Sequence, residues 1–156
     1  MGFEKAIKEV LKHEGGYVHD PHDRGGETNF GISKRAHPDV DIKNLTEEHA
    51  VGIYHEHYWI PSKAEKLPER LQGYYFDMCV NLGQRNSVKV LQKACNNKGT
   101  KMISVDGRIG PNTIKAANNL ELERLKSYRV LYYANLVHSN PTQEKFWFGW
   151  FRRSLS

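Results

Sequence analysis

Apolar residues recur at helical spacing along most of the chain, broken by short polar stretches marked with glycine. Phe3, Ile7, Val10 and Leu11 fall on one face, which predicts an N-terminal helix over residues 3–13 with that face buried. Gly15 and Gly16 predict where it ends. From Tyr17 to Ile32 the helical period is lost. "DP", "DRGG" and "TNFGI" punctuate short extended pieces there, and the stretch reads as a small β-hairpin or ribbon.

Beyond that point helices dominate. Thr46 is a candidate N-cap for a segment carrying Val51, Ile53, Tyr54 and Tyr58, with Pro61 expected to stop it. Leu67, Leu71, Tyr74, Tyr75 and Met78 define a second apolar face that ends near Gly83. Ser87 is expected to cap "VKVLQKACN", and "DGRIGPNT" reads as a turn with Pro111 at a helix start. Leu122, Leu125, Tyr128, Leu131 and Tyr132 mark a long helix over residues 120–138, and a short closing helix carries "FWFGWF". Trp147 and Trp150 are expected to pack it onto the body, with Arg152 and Arg153 solvated. No repeat or low-complexity tract interrupts the pattern. The expectation is one α+β domain, residues 1–156, mostly helical, with a small N-terminal β-hairpin lobe.

Composition narrows the class. At 156 residues, 38% hydrophobic and 26% charged, the chain can bury a sizeable core and does not have the composition of a disordered protein. No apolar run approaches the ~20 residues needed to cross a bilayer. The first residues alternate charge with apolar positions and lack a signal peptide's apolar centre. Synthesis in a cytoplasm, with later release, is the expectation. Cys79 and Cys95 sit in apolar settings and read as buried free thiols. The net charge of +5 points to an anionic partner. Its cations are scattered, apart from the local "FRR", which argues against nucleic acid.

The richest polar chemistry lies in "EGGYVHDPHDRGGETNFGI", residues 14–32. Glu14, at a helix end beside the apolar body, can be partly desolvated and hold a proton. Asp23, in an open turn, stays ionised. Glycosidic cleavage needs that division: an acid for the leaving oxygen and a carboxylate to direct water or stabilise positive charge. Thr28 can hold the water. The same residues fit an ordinary surface turn. His13, His19, Asp20, His22 and Asp23 are also candidate zinc ligands, but "HEGGY" lacks the second histidine of the H-E-x-x-H helix, and its glycines break that helix. No metal or cofactor is expected.

The motif at 14–32 resembles the signature of glycoside hydrolase family 108, the bacterial and phage N-acetylmuramidases. "FDMCVNLG" at 76–83, "VDGRIGPNT" at 105–113 and "FWFGWFRR" at 146–153 are similar to the family in the same order. The resemblance implies a lysozyme-like fold and hydrolysis of the β-1,4 bond between N-acetylmuramic acid and N-acetylglucosamine. It divides the chain into a catalytic part, residues 1–86, and a helical part, residues 87–156, similar to a peptidoglycan-binding segment. It matches the catalytic glutamate to Glu14. Phage-type lysozymes of a neighbouring family place an aspartate after eight intervening residues and a threonine after five more. Asp23 keeps the first interval; Thr28 follows Asp23 after four. Asp20 stands as the alternative second carboxylate.

The expected partner is peptidoglycan glycan, met by a monomer. Tyr58, Trp59, Tyr75 and Asn81, with Asp20, are candidates for contacting the sugars; Tyr74 shares the aromatic pattern. Asp77 and Asn81, one turn apart in an apolar helix, fit either a buried hydrogen-bond network or a cleft floor. A phage endolysin acting on the wall, in the periplasm or outside the cell, is the leading expectation. The alternative is a non-catalytic wall-binding or secretion-activating protein of the same fold.

Overall fold

The N-terminal periodicity becomes helix α1, Gly2–His13, in the computed structural model, which describes residues 2–19, 26–99 and 101–156. Ala6, Ile7 and Val10 are its buried face. That face packs on α4 (Glu69–Leu82), whose Leu71, Tyr75, Phe76 and Met78 are fully buried. Gly73 of α4 lies against Ala6, so two small residues allow a close crossing.

After α1 come three short antiparallel strands in the order β1 (Val18–His19), β2 (Glu27–Asn29) and β3 (Ile32–Ser33). Val18 pairs with Thr28 and His19 with Glu27; Thr28 pairs with Ser33 and Asn29 with Ile32. Phe30 and Gly31 link β2 to β3 with φ of 53° and 79°. Positive φ at both turn residues suits the right-handed twist of a hairpin. Phenylalanine rarely adopts it; here the Tyr54 hydroxyl holds the turn by donating to the Phe30 carbonyl at 2.7 Å.

Thr46 caps α2 (Glu47–Tyr54) as its sequence position suggests, its Oγ1 accepting from the His49 amide at 3.1 Å. Pro61, expected to stop this helix, does not. The chain widens into a π-turn, His55–Trp59, and continues through α3 (Ile60–Ser62) to Lys63, whose φ of 58° ends it. A proline clashes with the carbonyl four residues back and offers no N–H. Stepping to a wider turn, in which the Ile60 amide bonds back to His55, makes room just ahead of it.

Gly83 alone separates α4 from α5 (Gln84–Lys98). Ser87, expected as a cap, is therefore inside α5 and buried, its amide bonded to the Gly83 carbonyl. Pro111 opens α6 (Pro111–Ala117). In α7 (Leu122–Ser139) the inward stripe is Leu125, Arg129 and Tyr133, while Leu131, counted as apolar face in the sequence, is exposed. A 3₁₀ turn, Pro141–Phe146, leads to α8 (Trp147–Leu155). Helix packing runs α1 on α4, α4 on α5, α5 on α7 and α7 on α8, which carries the C-terminus back beside the end of α1.

Both cysteines are free and buried. Burial pushes the Cys79 thiol up to about 12 and that of Cys95 to about 11. No helix among the described residues is long and apolar enough to cross a membrane.

Candidate active site

The last turn of α1 fixes the position of Glu14. Its amide donates to the Val10 carbonyl at 3.1 Å, so the helical bonding extends one residue past His13 before the glycines. The hairpin tip closes on it from one side. A Cβ on Gly31 would lie 2.8 Å from the Glu14 carboxyl carbon, so only glycine fits, and only glycine adopts that φ without strain. Tyr54 and Tyr58 border the same spot. Burial, followed by the charge of Glu14, raises the phenol pKa of both. Tyr58 is half-buried, packs at a tilt against Tyr54 at 5.3 Å between ring centres, and lies 3.4 Å by its hydroxyl from His37 Nε2.

Behind Glu14 is a chain of charge. Arg153 of α8 donates to Glu14 Oε1 at 3.1 Å and to both oxygens of Asp77, at 3.0 and 3.2 Å. Asp77 is met at 2.9 Å by Arg129, whose side chain is wholly buried. Arg129 also donates to Asn81 at 3.2 Å, and the Tyr133 hydroxyl bonds the same Asn81 oxygen. Burial pushes the Asp77 carboxyl up, but the two guanidiniums outweigh it and hold Asp77 below the usual carboxylate range. Among the described residues Arg129 Nε and Nη1 have no hydrogen-bond partner, and the guanidinium lies over the Tyr74 ring at 5.1 Å, a cation–π contact that offsets part of that deficit. The result is a carboxyl at the edge of the body, four-fifths buried, with one oxygen anchored by Arg153 and Oε2 outside that contact. A group so held presents one orientation to a substrate.

The remaining sequence candidates divide. Thr28 is in β2, partly buried, and strand alternation puts it on the face opposite Asn29, which is buried and bonded to the Ile42 carbonyl. Asp20 and Asp23 lie outside the described residues. Trp59 is not a sugar platform: it is 4% exposed and packs edge-on to Phe76 and against Phe3. Tyr75 is fully buried with its hydroxyl on the Ser62 carbonyl. Both rings fill the core, because the helical period that suggested a cleft is also that of an inward face. Tyr74 is turned to α7 and α8, with its hydroxyl on the Ser154 carbonyl. Asn81, half-buried, gives its side-chain oxygen to Arg129 and Tyr133 and so is part of the charge chain. Tyr58 is partly accessible and lies beside Glu14.

Sequence reasoning missed Arg129, Arg153 and Tyr54. Arg153, expected to be solvated, is largely covered, whereas Arg152 is exposed over Phe148. The signal for these partners was present in Asp77 and Asn81: two polar side chains on an inward helix face require donors from elsewhere. Among the described residues no three His, Cys, Asp or Glu side chains gather as a metal site would need.

Residues 7–83 match the family model for glycosyl hydrolase 108, and residues 86–155 match the model described as "Predicted Peptidoglycan domain". Among solved structures, SagA of Brucella abortus is similar at 29% identity with a TM-score of 0.77, over 97% of this chain and 88% of that one. No curated protein matches the sequence. The lysozyme-like arrangement of helices around a small sheet is shared with that neighbour. The chain therefore joins a member of glycosyl hydrolase family 108, carrying Glu14, to a member of the predicted peptidoglycan domain family.

Proposed function

We propose that this glycoside hydrolase is a peptidoglycan muramidase, cutting the β-1,4 bond between N-acetylmuramic acid and N-acetylglucosamine. The observation that carries the reading is the anchoring of Glu14, inside the family-108 segment, between the Gly31 turn and Arg153. In the proposed mechanism Glu14 gives a proton to the glycosidic oxygen. Asp23, with Asp20 as its alternative, and Thr28 direct water to the opposite face of the sugar. Tyr58 contacts the glycan at the cleft edge. That arrangement gives inversion, which requires the two carboxyls to stand about 6.5–9.5 Å apart. The enzyme works on the wall, in the periplasm or outside, after release from the cytoplasm that makes it, as an endolysin does.

Replacing Glu14 with Gln conserves volume and removes the transferable proton. Wall lysis is expected to fall at least about 10²-fold with an unchanged circular dichroism spectrum. Mass analysis of digested sacculi should show reducing muramic ends. NMR of the first-formed product should show the α-anomer. Near-wild-type lysis by Glu14→Gln, or ends of another type, would sink the reading.

A further inference from the structure

A cavity of about 580 Å³ lies in the C-terminal half between α5, the stretch at 101–110 and α6, and shares no lining residue with the Glu14 cluster. Its outer wall is pinned by two buried or part-buried side-chain amides of α5. Gln92 Nε2 donates to Asp106 Oδ1 and to the Arg108 carbonyl at 3.0 and 3.1 Å, and Gln92 Oε1 accepts from the Gly107 amide at 3.0 Å. Asn96 exchanges two bonds with the Ile103 backbone, at 2.8 and 2.9 Å. The wall is thus set before any ligand arrives, and preorganisation of this kind lowers the entropy lost on binding.

The lining has a distinct chemistry. Met102, Ile103, Ile109, Pro111 and Ala116 give a small apolar floor, and Met102 is more than two-thirds exposed. Lys101, Arg108 and Lys115 stand exposed around it, and no ion pair of theirs occurs among the described residues. The single acid in the lining, Asp106, is committed to Gln92 and to the Arg108 amide. No described lining residue is aromatic. Sugar faces are held by flat rings, so this is a poor glycan groove. Cations over small apolar patches suit a short peptide with free carboxylates and methyl side chains.

We infer that this cavity binds the carboxylate-bearing stem peptides of peptidoglycan, giving the C-terminal half a peptide grip separate from the glycan cleft. The inference rests on peptidoglycan being the substrate, and it puts the binding implied by the segment's family description at a specific place. It also gives "DGRIGPNT", a turn and helix start in the sequence, a part in recognition.

The test uses the full chain carrying Glu14→Gln, so that the polymer is not consumed, and measures co-sedimentation with purified sacculi. Lys101→Glu with Lys115→Glu should weaken binding to intact sacculi at least about tenfold, as expected for losing charge-assisted bonds. A control with the same charge change at exposed sites elsewhere, Lys8→Glu with Lys43→Glu, should change it far less. On sacculi stripped of stem peptides by an amidase, the cavity variant and its parent should bind alike. In the chain with Glu14 intact, a tetrapeptide ending in D-alanine should shift the Met102 methyl resonance. The inference is overturned by equal binding of variant and parent to intact sacculi, by an equal loss in the control pair, by a loss that persists on stripped glycan, or by an unmoved Met102 signal. The muramidase reading fails separately, on the chemical ends of the digest, whatever the cavity binds.

Discussion

The two halves of the molecule bring opposite charges to one place. The residues before Gly83 supply the carboxylates Glu14 and Asp77; those after it supply the guanidiniums Arg129 and Arg153. Neither set is balanced without the other. Two family segments that are separate along the chain are therefore joined through their most costly buried groups, and the second half is part of the scaffold that aims Glu14.

The sharpest way to break that comparison is to cut the chain after Gly83. The fragment retains Glu14 but loses both arginines and the faces of α5 and α7. It is expected to show no lysis and no cooperative unfolding, by turbidity and circular dichroism. A folded, lytic fragment would mean that the first half is self-sufficient.

Next in size is Asp77→Asn. It leaves the fully buried Arg129 without its counter-charge, and denaturant unfolding should show a loss of about 3–5 kcal/mol. Arg129→Met should cost less, because Asp77 keeps both bonds from Arg153. If the two substitutions cost the same, the charges do not act as a chain.

The same carboxylate sets an acid limit. Asp77 is held below the usual carboxylate range when folded, so on acidification the unfolded chain takes up the proton first. Its contribution to stability is complete above the ordinary value of about 4 and is lost as pH falls through the lower, folded one. Unfolding free energy should therefore drop below about pH 4 more steeply in the wild type than in Asp77→Asn. Parallel curves would remove Asp77 from the account.

Salt should have the smallest effect on the fold. The charge chain is covered, and exposed pairs such as Lys12 with Glu9 contribute little, so stability should change by less than about 1 kcal/mol between low and physiological salt. Wall binding, if charge-assisted bonds from exposed cations such as Lys101 and Lys115 contribute to it, should weaken clearly over the same range as the Debye length falls to about 8 Å. A pelleting assay beside a melting curve separates the two.

Much of this architecture could be read from local pattern. The α1 face, the Thr46 cap, the hairpin and the Pro111 start depend on neighbours in sequence, and the structure has them. The place of Glu14 at the end of α1, just ahead of the glycines, was legible in the same way. What was not legible depends on distant partners. Arg153 meets Asp77 from 76 residues further along the chain, and a long cationic side chain has the same sequence signature whether it is solvated or buried. Arg129 keeps step with Leu125 and Tyr133, but a charged residue in that register reads as surface. Trp59 and Tyr75 failed as sugar contacts because periodicity reports that a face is apolar, not which neighbour covers it. Ser87 misled because a single glycine, Gly83, took over the turn that a cap would have marked.

The thiol of Cys79 lies two residues from Asp77, sealed inside α4 and held protonated far above neutral pH. An alkylating reagent can modify it only when that helix lifts away from its neighbours. Its labelling rate in native buffer therefore works as a clock for local opening at the junction of the two halves. The same seal keeps Cys79 out of oxidation and disulfide exchange for as long as that helix stays closed.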